Sequence, residues 1–443
     1  MKMRTLLLIL LAASTAGSAG AGEGPVPTGI PHLDHVFVVM MENHGYSQVV
    51  NNPNLPFTND LAGLANTATN FFAIGHPSLT NYLEVVGGSN FGVRSDNAPD
   101  WHNFSCTTNL ASGKAATDTP PTPAICPIAG TGTDAETPAV DTTNETSGPP
   151  GLNDIDGTQS IAAATNTTGK TIADQLAAAG RTWKSYQESL PPGGADNVNY
   201  SDGVFTNNTD FTKITPALTP ALTTSDIVQL YAAKHNPFVY FRSVQEGDEP
   251  GSDLSNVVGF DGAKGLYADL GSGSVPNFSL IAPNQCNDQH GRGNAGPFCA
   301  FDPTDNGTQA GLNPALMQAG DVALRQIVTA IKESPAWKQG QNAIVILWDE
   351  NDYSIAPNPN TVLVIVDTNY GSHGVQSATA YNHFSLLKSI EAGFGLPCLN
   401  HACDSNVKVM SDLFGAAYPS ASSTHASPPQ TGAPPPQAPA ARH

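Results

Sequence analysis

The chain has 443 residues and a formal net charge of −20, from 18 Lys and Arg against 38 Asp and Glu. So acidic a balance excludes a general nucleic-acid binder, which needs basic surface to displace counterions, and it excludes a polybasic membrane anchor. Hydrophobic residues make up 40%, too many for a disordered chain. The length suits about two or three domains, or one large α/β domain with insertions.

Residues 1–21 read as a signal peptide. Lys2 and Arg4 supply the positive start, and Ala19-Gly20-Ala21 is a small-residue cleavage site. The apolar stretch Leu6–Ala13 is far shorter than the ~20 residues of a spanning helix. No later segment is long and apolar enough to cross a bilayer. The chain is expected to be exported, either secreted or periplasmic, with no membrane span. Six cysteines in an exported chain point to disulfides. Proximity pairs Cys106 with Cys126, Cys286 with Cys299 and Cys398 with Cys403, although fifteen connectivities exist for six cysteines.

His35–Met41 (HVFVVMM) is a continuous apolar run and reads as a buried parallel strand. Asn342–Trp348 and Thr361–Val366 read the same way. Further strands are predicted at Thr182–Gln187, Pro237–Arg242 and Pro276–Ile281. Helical spacing marks Thr171–Gly180, Pro314–Glu333 and Asn382–Phe394. Strands alternating with helices predict an α/β fold on a mostly parallel sheet. Residues 95–170 lack periodicity and are read as a loop-rich insertion or cap that shapes substrate access. Residues 416–443, rich in Pro, Ala and Ser, are read as a disordered tail.

Ligands of open α/β sheets bind beyond the carboxyl ends of the strands. Glu42 and Asn43 follow the first apolar run. Asp349, Glu350, Asn351 and Asp352 follow Asn342–Trp348. Each group alone is explained by a turn or a helix cap. Carboxylates from two strand ends converging at one edge repel one another unless a cation lies among them, so a metal site is expected. Carboxylate and amide ligands suit Mg²⁺, Ca²⁺ or Mn²⁺.

Gly75-His76-Pro77-Ser78-Leu79-Thr80-Asn81-Tyr82 opens a helix. A hydroxyl there faces backbone N–H groups that favour an anion, so Ser78 is either a nucleophile or a cap. Asn81 is a candidate donor to a phosphoryl oxygen. His290, in Asn287-Asp288-Gln289-His290, and His383, opening a helix, are candidates to bind a phosphoryl oxygen or protonate a leaving group. His373, in a Gly-Ser-His-Gly turn, is a weaker candidate.

Together these segments resemble the phosphoesterase family of secreted bacterial and fungal acid phosphatases and bacterial phospholipases C, within the alkaline-phosphatase-like superfamily. The matching pieces are MMEN (Met40–Asn43), GHPSLTNY (Gly75–Tyr82), NDQH (Asn287–His290), WDEND (Trp348–Asp352) and YNHFSLLKSIEAGFGLP (Tyr381–Pro397). They run in the family's order, so residues 22–415 are read as one phosphoesterase domain. Thr80 stands where the family's small acid phosphatases have Pro, which places a second hydroxyl near Ser78.

The resemblance implies a divalent metal on Glu42, Asn43, Ser78, Asp349 and Glu350. It implies Ser78 as nucleophile through a phosphoserine, with His76, Asn81, His290 and His383 around the phosphoryl group and Asp288 orienting His290. The expected activity is hydrolysis of small phosphate monoesters. An acidic optimum is expected if His290 and His383 bind phosphate in protonated form. The rival expectations are a phosphodiesterase or phospholipase C with the same machinery, and a non-catalytic exported ligand-binding protein.

Overall fold

The computed structural model describes residues 23–91, 93, 95–99, 125–129, 131–132, 167–191, 230–247, 250–293, 295–304, 306–351 and 360–415. The expected signal peptide (1–21), most of the expected 95–170 insertion, the expected 416–443 tail, Cys106 and Asp352 lie outside the described residues. Among the described residues no helix is long and apolar enough to cross a membrane.

In chain order the strands are β1 (His35–Met41), β2 (Asn66–Phe72), β3 (Thr131–Gly132), β4 (Thr167–Thr168), β5 (Trp183–Gln187), β6 (Val257–Gly259), β7 (Phe278–Ala282), β8 (Asn342–Trp348), β9 (Thr361–Thr368), β10 (Gln376–Ser377) and β11 (Tyr381–Asn382). Nine of them form one sheet in the order β10-β2-β9-β8-β1-β7-β5-β6, with β11 also on β2. β3 and β4 pair apart from it. β1 lies in the middle, parallel to β7 and β8, and its run from Val36 to Met41 is buried throughout. An apolar run without polar alternation is what a strand covered on both faces requires. One apolar cluster, from Val36–Met41 through Ile344–Trp348 and Val362–Val366, makes the core.

The sheet is mostly parallel, with one correction. Thr361–Val366 was expected to be parallel and is antiparallel to both neighbours, β8 and β2. Only residues 349–360 separate β8 from β9. Parallel neighbours need a crossover of about a dozen or more residues, usually a helix, and this link lies at the bottom of that range, where an antiparallel return is the simpler connection. A second correction concerns Pro237–Arg242. Pro237–Tyr240 is a 3₁₀ turn rather than a strand. Pro237 has no N–H to give a ladder, and the Phe241 N–H closes instead on the Phe238 carbonyl at 3.2 Å. β2 (NTATNFF) was not expected, because its polar residues mask it among loop-like sequence.

The helices are α1 (Tyr46–Val49), α2 (Pro56–Leu64), α3 (Ser78–Gly87) and α4 (Ile172–Ala178), then Leu266–Ser272, Pro314–Glu333 and His383–Phe394. α4 begins on a capping box, with Thr171 and Asp174 exchanging hydrogen bonds. Pro314–Glu333 begins on Asn313, whose side chain accepts from the Ala315 N–H, with Pro314 in the first position. All ten residues of α3 are buried, so this helix is an internal element rather than an amphipathic surface one. It ends at Gly88, which has φ +70°, and a Cβ there would lie 2.5 Å from the Leu399 carbonyl oxygen. Glycine is what that left-handed, close-packed stop requires.

Of the predicted disulfides, Cys286–Cys299 and Cys398–Cys403 are formed. The Cys106–Cys126 pairing falls partly outside the described residues.

Candidate active site

β1 and β8 run parallel in register, Met41 opposite Trp348. The residues after them therefore emerge side by side. The Asp349 N–H donates to the Met41 carbonyl at 2.9 Å, and the Glu42 N–H donates to the Asp288 carbonyl at 2.8 Å. Three segments thus meet at the carboxyl edge of the sheet: 42–43, 349–350 and 287–290. The last is fixed from below, since Trp348 Nε1 donates to Gln289 Oε1 at 2.9 Å and Gln289 Nε2 donates to the Met317 carbonyl at 3.1 Å.

α3 delivers Ser78 to this edge as its first residue. Its hydroxyl lies 3.1 Å from Glu42 Oε2 and 3.3 Å from Glu350 Oε1. Ser78 does not cap its helix with its side chain, and position 77, the cap, is Pro. The alternative of a capping role for Ser78 is thereby removed. Thr80, the second hydroxyl, turns back to donate to the Pro77 carbonyl at 2.9 Å.

The remaining expected residues arrange themselves around Ser78 in specific ways. Asn81 accepts from the Ile74 and Gly75 N–H groups, and donates to the Gly75 carbonyl at 2.8 Å and to Glu350 Oε2 at 3.0 Å. In this state it braces the turn before Ser78 and holds Glu350, rather than pointing a free donor at substrate. His76 Nδ1 also meets Glu350 Oε2, at 2.8 Å. Asn43 presents its backbone N–H to Asp349 Oδ1 at 3.0 Å.

Asp288 does accept from His290, but through the backbone N–H at 2.7 Å. Its other oxygen lies 3.2 Å from His235 Nδ1. His290 Nδ1 donates to the Gly291 carbonyl at 2.9 Å, so Nε2 carries the lone pair, and Lys234 Nζ donates to it at 3.0 Å.

Two of the expected histidines are not brought to Ser78. His373 is exposed on the turn between β9 and β10. His383 is fully buried where its helix packs on α3, with Nδ1 3.6 Å from Glu84 Oε2 and its ring against Phe71. Among the described residues its ring nitrogens make no hydrogen bond. His383→Ala is therefore expected to act mainly on stability. It should cost about 2–3 kcal/mol through the cavity it leaves, while changing kcat by less than about tenfold. Urea unfolding beside turnover of a chromogenic phosphate ester checks this. A large loss of kcat at unchanged stability would return His383 to the site.

Sequence reasoning missed three residues. Tyr82, one turn along α3 from Ser78, donates to Glu42 Oε1 at 2.6 Å. His235 stacks on the Tyr82 ring, with centroids 5.4 Å apart, and its Nε2 lies 3.1 Å from Glu42 Oε1. Lys234 is buried beside it. The signal was present: a Lys-His pair set against the apolar run Pro237–Phe241 in a chain with only 13% charged residues. Reading that run as a strand drew attention past its start.

The electrostatics of the edge are those of crowded acids. Burial pushes the Glu42 carboxyl well above the ordinary range, and Asp349 pushes it further. Asp349 is raised by burial and then by Glu350. Asp288 is raised by burial and then by Glu42. Asp349 Oδ2 is buried with no hydrogen-bond partner among the described residues. Raised carboxyls and an orphaned carboxylate oxygen beside a serine hydroxyl fit a hard divalent cation, with Glu42, Asp349, Glu350 and Ser78 Oγ as its oxygen donors. A carboxylate oxygen of Glu42 also lies within 4.8 Å of ring nitrogens of His235 and His290, a second grouping able to hold a metal.

The histidines do not carry the charge expected of them. Burial, then Lys234, lowers His290 to about 3. Burial lowers His383 to about 3. Burial, then Lys234, holds His235 well below its usual value. Burial thus disfavours the charged form of each ring, so the expected acidic optimum does not follow from a waiting pair of imidazolium ions.

A profile of the Phosphoesterase family matches residues 49–297, more than half of the chain and a span that includes Ser78, Lys234, His235, Asp288 and His290. An acid phosphatase of Aspergillus fumigatus is 22% identical over 377 residues, covering 85% of this chain and 58% of that protein. A probable acid phosphatase of Kluyveromyces lactis is 23% identical, covering 84% and 61%. The chain thus spans about three-fifths of the length of these fungal relatives. A phosphatidylinositol-3-phosphatase of Mycobacterium tuberculosis is 22% identical, with 92% of each chain covered. Among solved structures, a protein in the alkaline phosphatase superfamily from Vibrio parahaemolyticus aligns at TM-score 0.42 and 11% identity, over 85% of this chain and 69% of that one. On the profile match, the chain belongs to the Phosphoesterase family.

Proposed function

We propose that this chain is an exported, metal-dependent phosphatase that hydrolyses small phosphate monoesters through a phosphoserine at Ser78. The observation that carries the reading is the place of Ser78. Its hydroxyl lies between the carboxylates of Glu42 and Glu350, at the start of a buried helix. The names of the relatives, acid phosphatases and a phosphoinositide phosphatase, support the same chemistry. Disulfides at Cys286–Cys299 and Cys398–Cys403 support an oxidising compartment.

A divalent cation held by Glu42, Asp349 and Glu350 would polarise a phosphoryl oxygen and ease deprotonation of Ser78. The chain's own residues do the rest. Glu42 or Glu350, already accepting from the Ser78 hydroxyl, takes its proton as the Oγ attacks phosphorus. The P–O bond to the alcohol breaks in line with that attack, and the departing alkoxide takes its proton from water. Water then hydrolyses the phosphoserine. Asn81 and His76 hold Glu350 still during this sequence, and Tyr82 does the same for Glu42. Restraint of this kind keeps reacting groups in attack geometry.

The test is hydrolysis of p-nitrophenyl phosphate beside bis(p-nitrophenyl) phosphate, at about pH 5 and about pH 8, either side of the ordinary His value, with and without EDTA. Monoester turnover abolished by EDTA is expected. Preference for the bis-ester would move the protein to the phosphodiesterase or phospholipase side. Turnover of neither ester would contradict the reading.

A further inference from the structure

Beside Ser78 the fold buries a cation that the steps above do not use. Lys234 has 6% of its surface exposed. Its ammonium donates to His290 Nε2 and to Asp96 Oδ2, each at 3.0 Å. The other oxygen of the same carboxylate, Asp96 Oδ1, accepts from the Leu79 N–H at 3.1 Å. Leu79 is the second residue of α3, directly after the nucleophile. One carboxylate therefore spans an ammonium and a helix-start N–H next to Ser78.

Those are the donors an anion wants. The helix has no acid of its own in its first turn and no side-chain cap, so Asp96 reaches in from a separate segment to fill that role. Lys234 also lies within electrostatic reach of Glu42, Asp349 and Asp288, whose carboxyls it lowers against the effect of burial. The grouping of Glu42, His235 and His290 bears on the same point. With Nδ1 of His290 committed to Gly291, the lone pair a metal there would need is taken by the Lys234 ammonium. Lys234 thus brings a positive charge to the edge of that grouping.

We propose that Lys234 is the phosphoryl-oxygen clamp of this site, and that Asp96 is a built-in stand-in for the substrate. On binding, one phosphoryl oxygen replaces Asp96 Oδ2 on Lys234 and another replaces Asp96 Oδ1 on the Leu79 N–H. Two oxygens on one phosphorus span two donors as two oxygens on one carboxylate carbon do. The Asp96 side chain is 31% exposed and has solvent to move into. The proposal rests on the phosphate-ester reading of the site.

The experiment measures inorganic phosphate binding by calorimetry on the full-length, metal-loaded protein, beside kcat/KM on p-nitrophenyl phosphate and the unfolding temperature. The variants are Lys234→Met, Lys234→Arg and Asp96→Asn. Lys234→Met should weaken phosphate binding and lower kcat/KM by about 10²–10³-fold, the scale of losing one preorganised donor. Lys234→Arg should restore part of both, since the charge returns. Asp96→Asn should tighten phosphate binding, since it removes the competitor and leaves the pocket more positive.

Unchanged phosphate affinity in a folded Lys234→Met protein would overturn the proposal. So would an Asp96→Asn protein that binds phosphate no better than the wild type, which also decides the matter if Lys234→Met does not fold. A wild-type protein that binds phosphate in this pattern yet hydrolyses no ester would overturn the catalytic reading and leave the clamp standing.

Discussion

Ser78→Ala should lower kcat on p-nitrophenyl phosphate by at least about 10³-fold while leaving the protein folded, because a nucleophile's loss removes a whole reaction path rather than one contact. The fold should survive because the hydroxyl stabilises nothing else. It makes no side-chain cap to α3, and among the described residues it bonds only to the carboxylates of Glu42 and Glu350. In the metal-free protein the hydroxyl gives one of those buried acids a donor, so its loss should cost no more than about 1–2 kcal/mol. Thr80→Ala is the control. Its hydroxyl faces the Pro77 carbonyl, not the acids, so its removal should change kcat by less than about tenfold. Steady-state rates beside thermal unfolding of both variants check this. Near-normal turnover by Ser78→Ala, with loss in Thr80→Ala, would reassign the nucleophile.

Removing the divalent cation should stop turnover, and Glu42→Gln should do the same, by about 10³-fold, even with metal in excess. The two interventions differ in what they do to stability. In the metal-free protein Asp349 is raised by burial and then by Glu350, and Glu42 is raised by burial and then by repulsion from Asp349. Glu42→Gln relieves that repulsion, so the EDTA-treated variant should unfold no lower than the EDTA-treated wild type. The wild type, however, should gain about 2.7 kcal/mol from metal at a hundredfold excess over Kd, and the variant should gain much less.

The pH dependence follows from the same shifts. A carboxyl raised in the folded state binds more protons there than in the unfolded chain. Its contribution to stability is complete below the ordinary value, 4.5 for Glu42 and 3.8 for Asp349, and is lost as pH rises through the raised value. The buried histidines run the other way. Lowered to about 3, His290 and His383 contribute fully above their ordinary value of 6.5 and lose that contribution as pH falls. Between 6.5 and 10.0, below the range where the raised tyrosines contribute, a further fall in metal-free stability is therefore expected from the carboxyls. A cation must displace their protons, so metal affinity should rise with pH and binding should release protons. Calorimetric titration with Mg²⁺, Mn²⁺ and Ca²⁺ in buffers of different ionisation enthalpy reads both. Turnover that resists EDTA, or affinity flat with pH, would contradict the assignment.

Much of the site was legible because it depends on short-range rules. Apolar runs buried on both faces gave β1 and β8, and acids directly after parallel strands must emerge at one edge. The placing of Glu42, Asp349 and Glu350 at one edge follows from that alone, whereas Ser78, opening α3, read equally as a nucleophile or a cap. What stayed hidden depends on where loops return. Lys234 and His235 precede a 3₁₀ turn whose apolar residues imitate a strand, and only tertiary packing places them against Glu42 and His290. His383 shows the reverse. Its position at a helix start matched an active-site pattern, yet the packing of its helix on α3 turns the ring toward Glu84 and Phe71. The direction of β9 was hidden for a simpler reason. An apolar run does not state its polarity, and the direction of β9 is visible only in its pairing with β8 and β2.

The most direct test of the central claim is to quench the metal-loaded enzyme with acid during turnover of p-nitrophenyl phosphate and map the modified peptide by mass spectrometry. The account predicts a phosphoryl group on Ser78, absent from the Ser78→Ala protein. A phosphoryl group on Thr80 or on a histidine, or turnover with no phosphorylated peptide at any quench time, would contradict it.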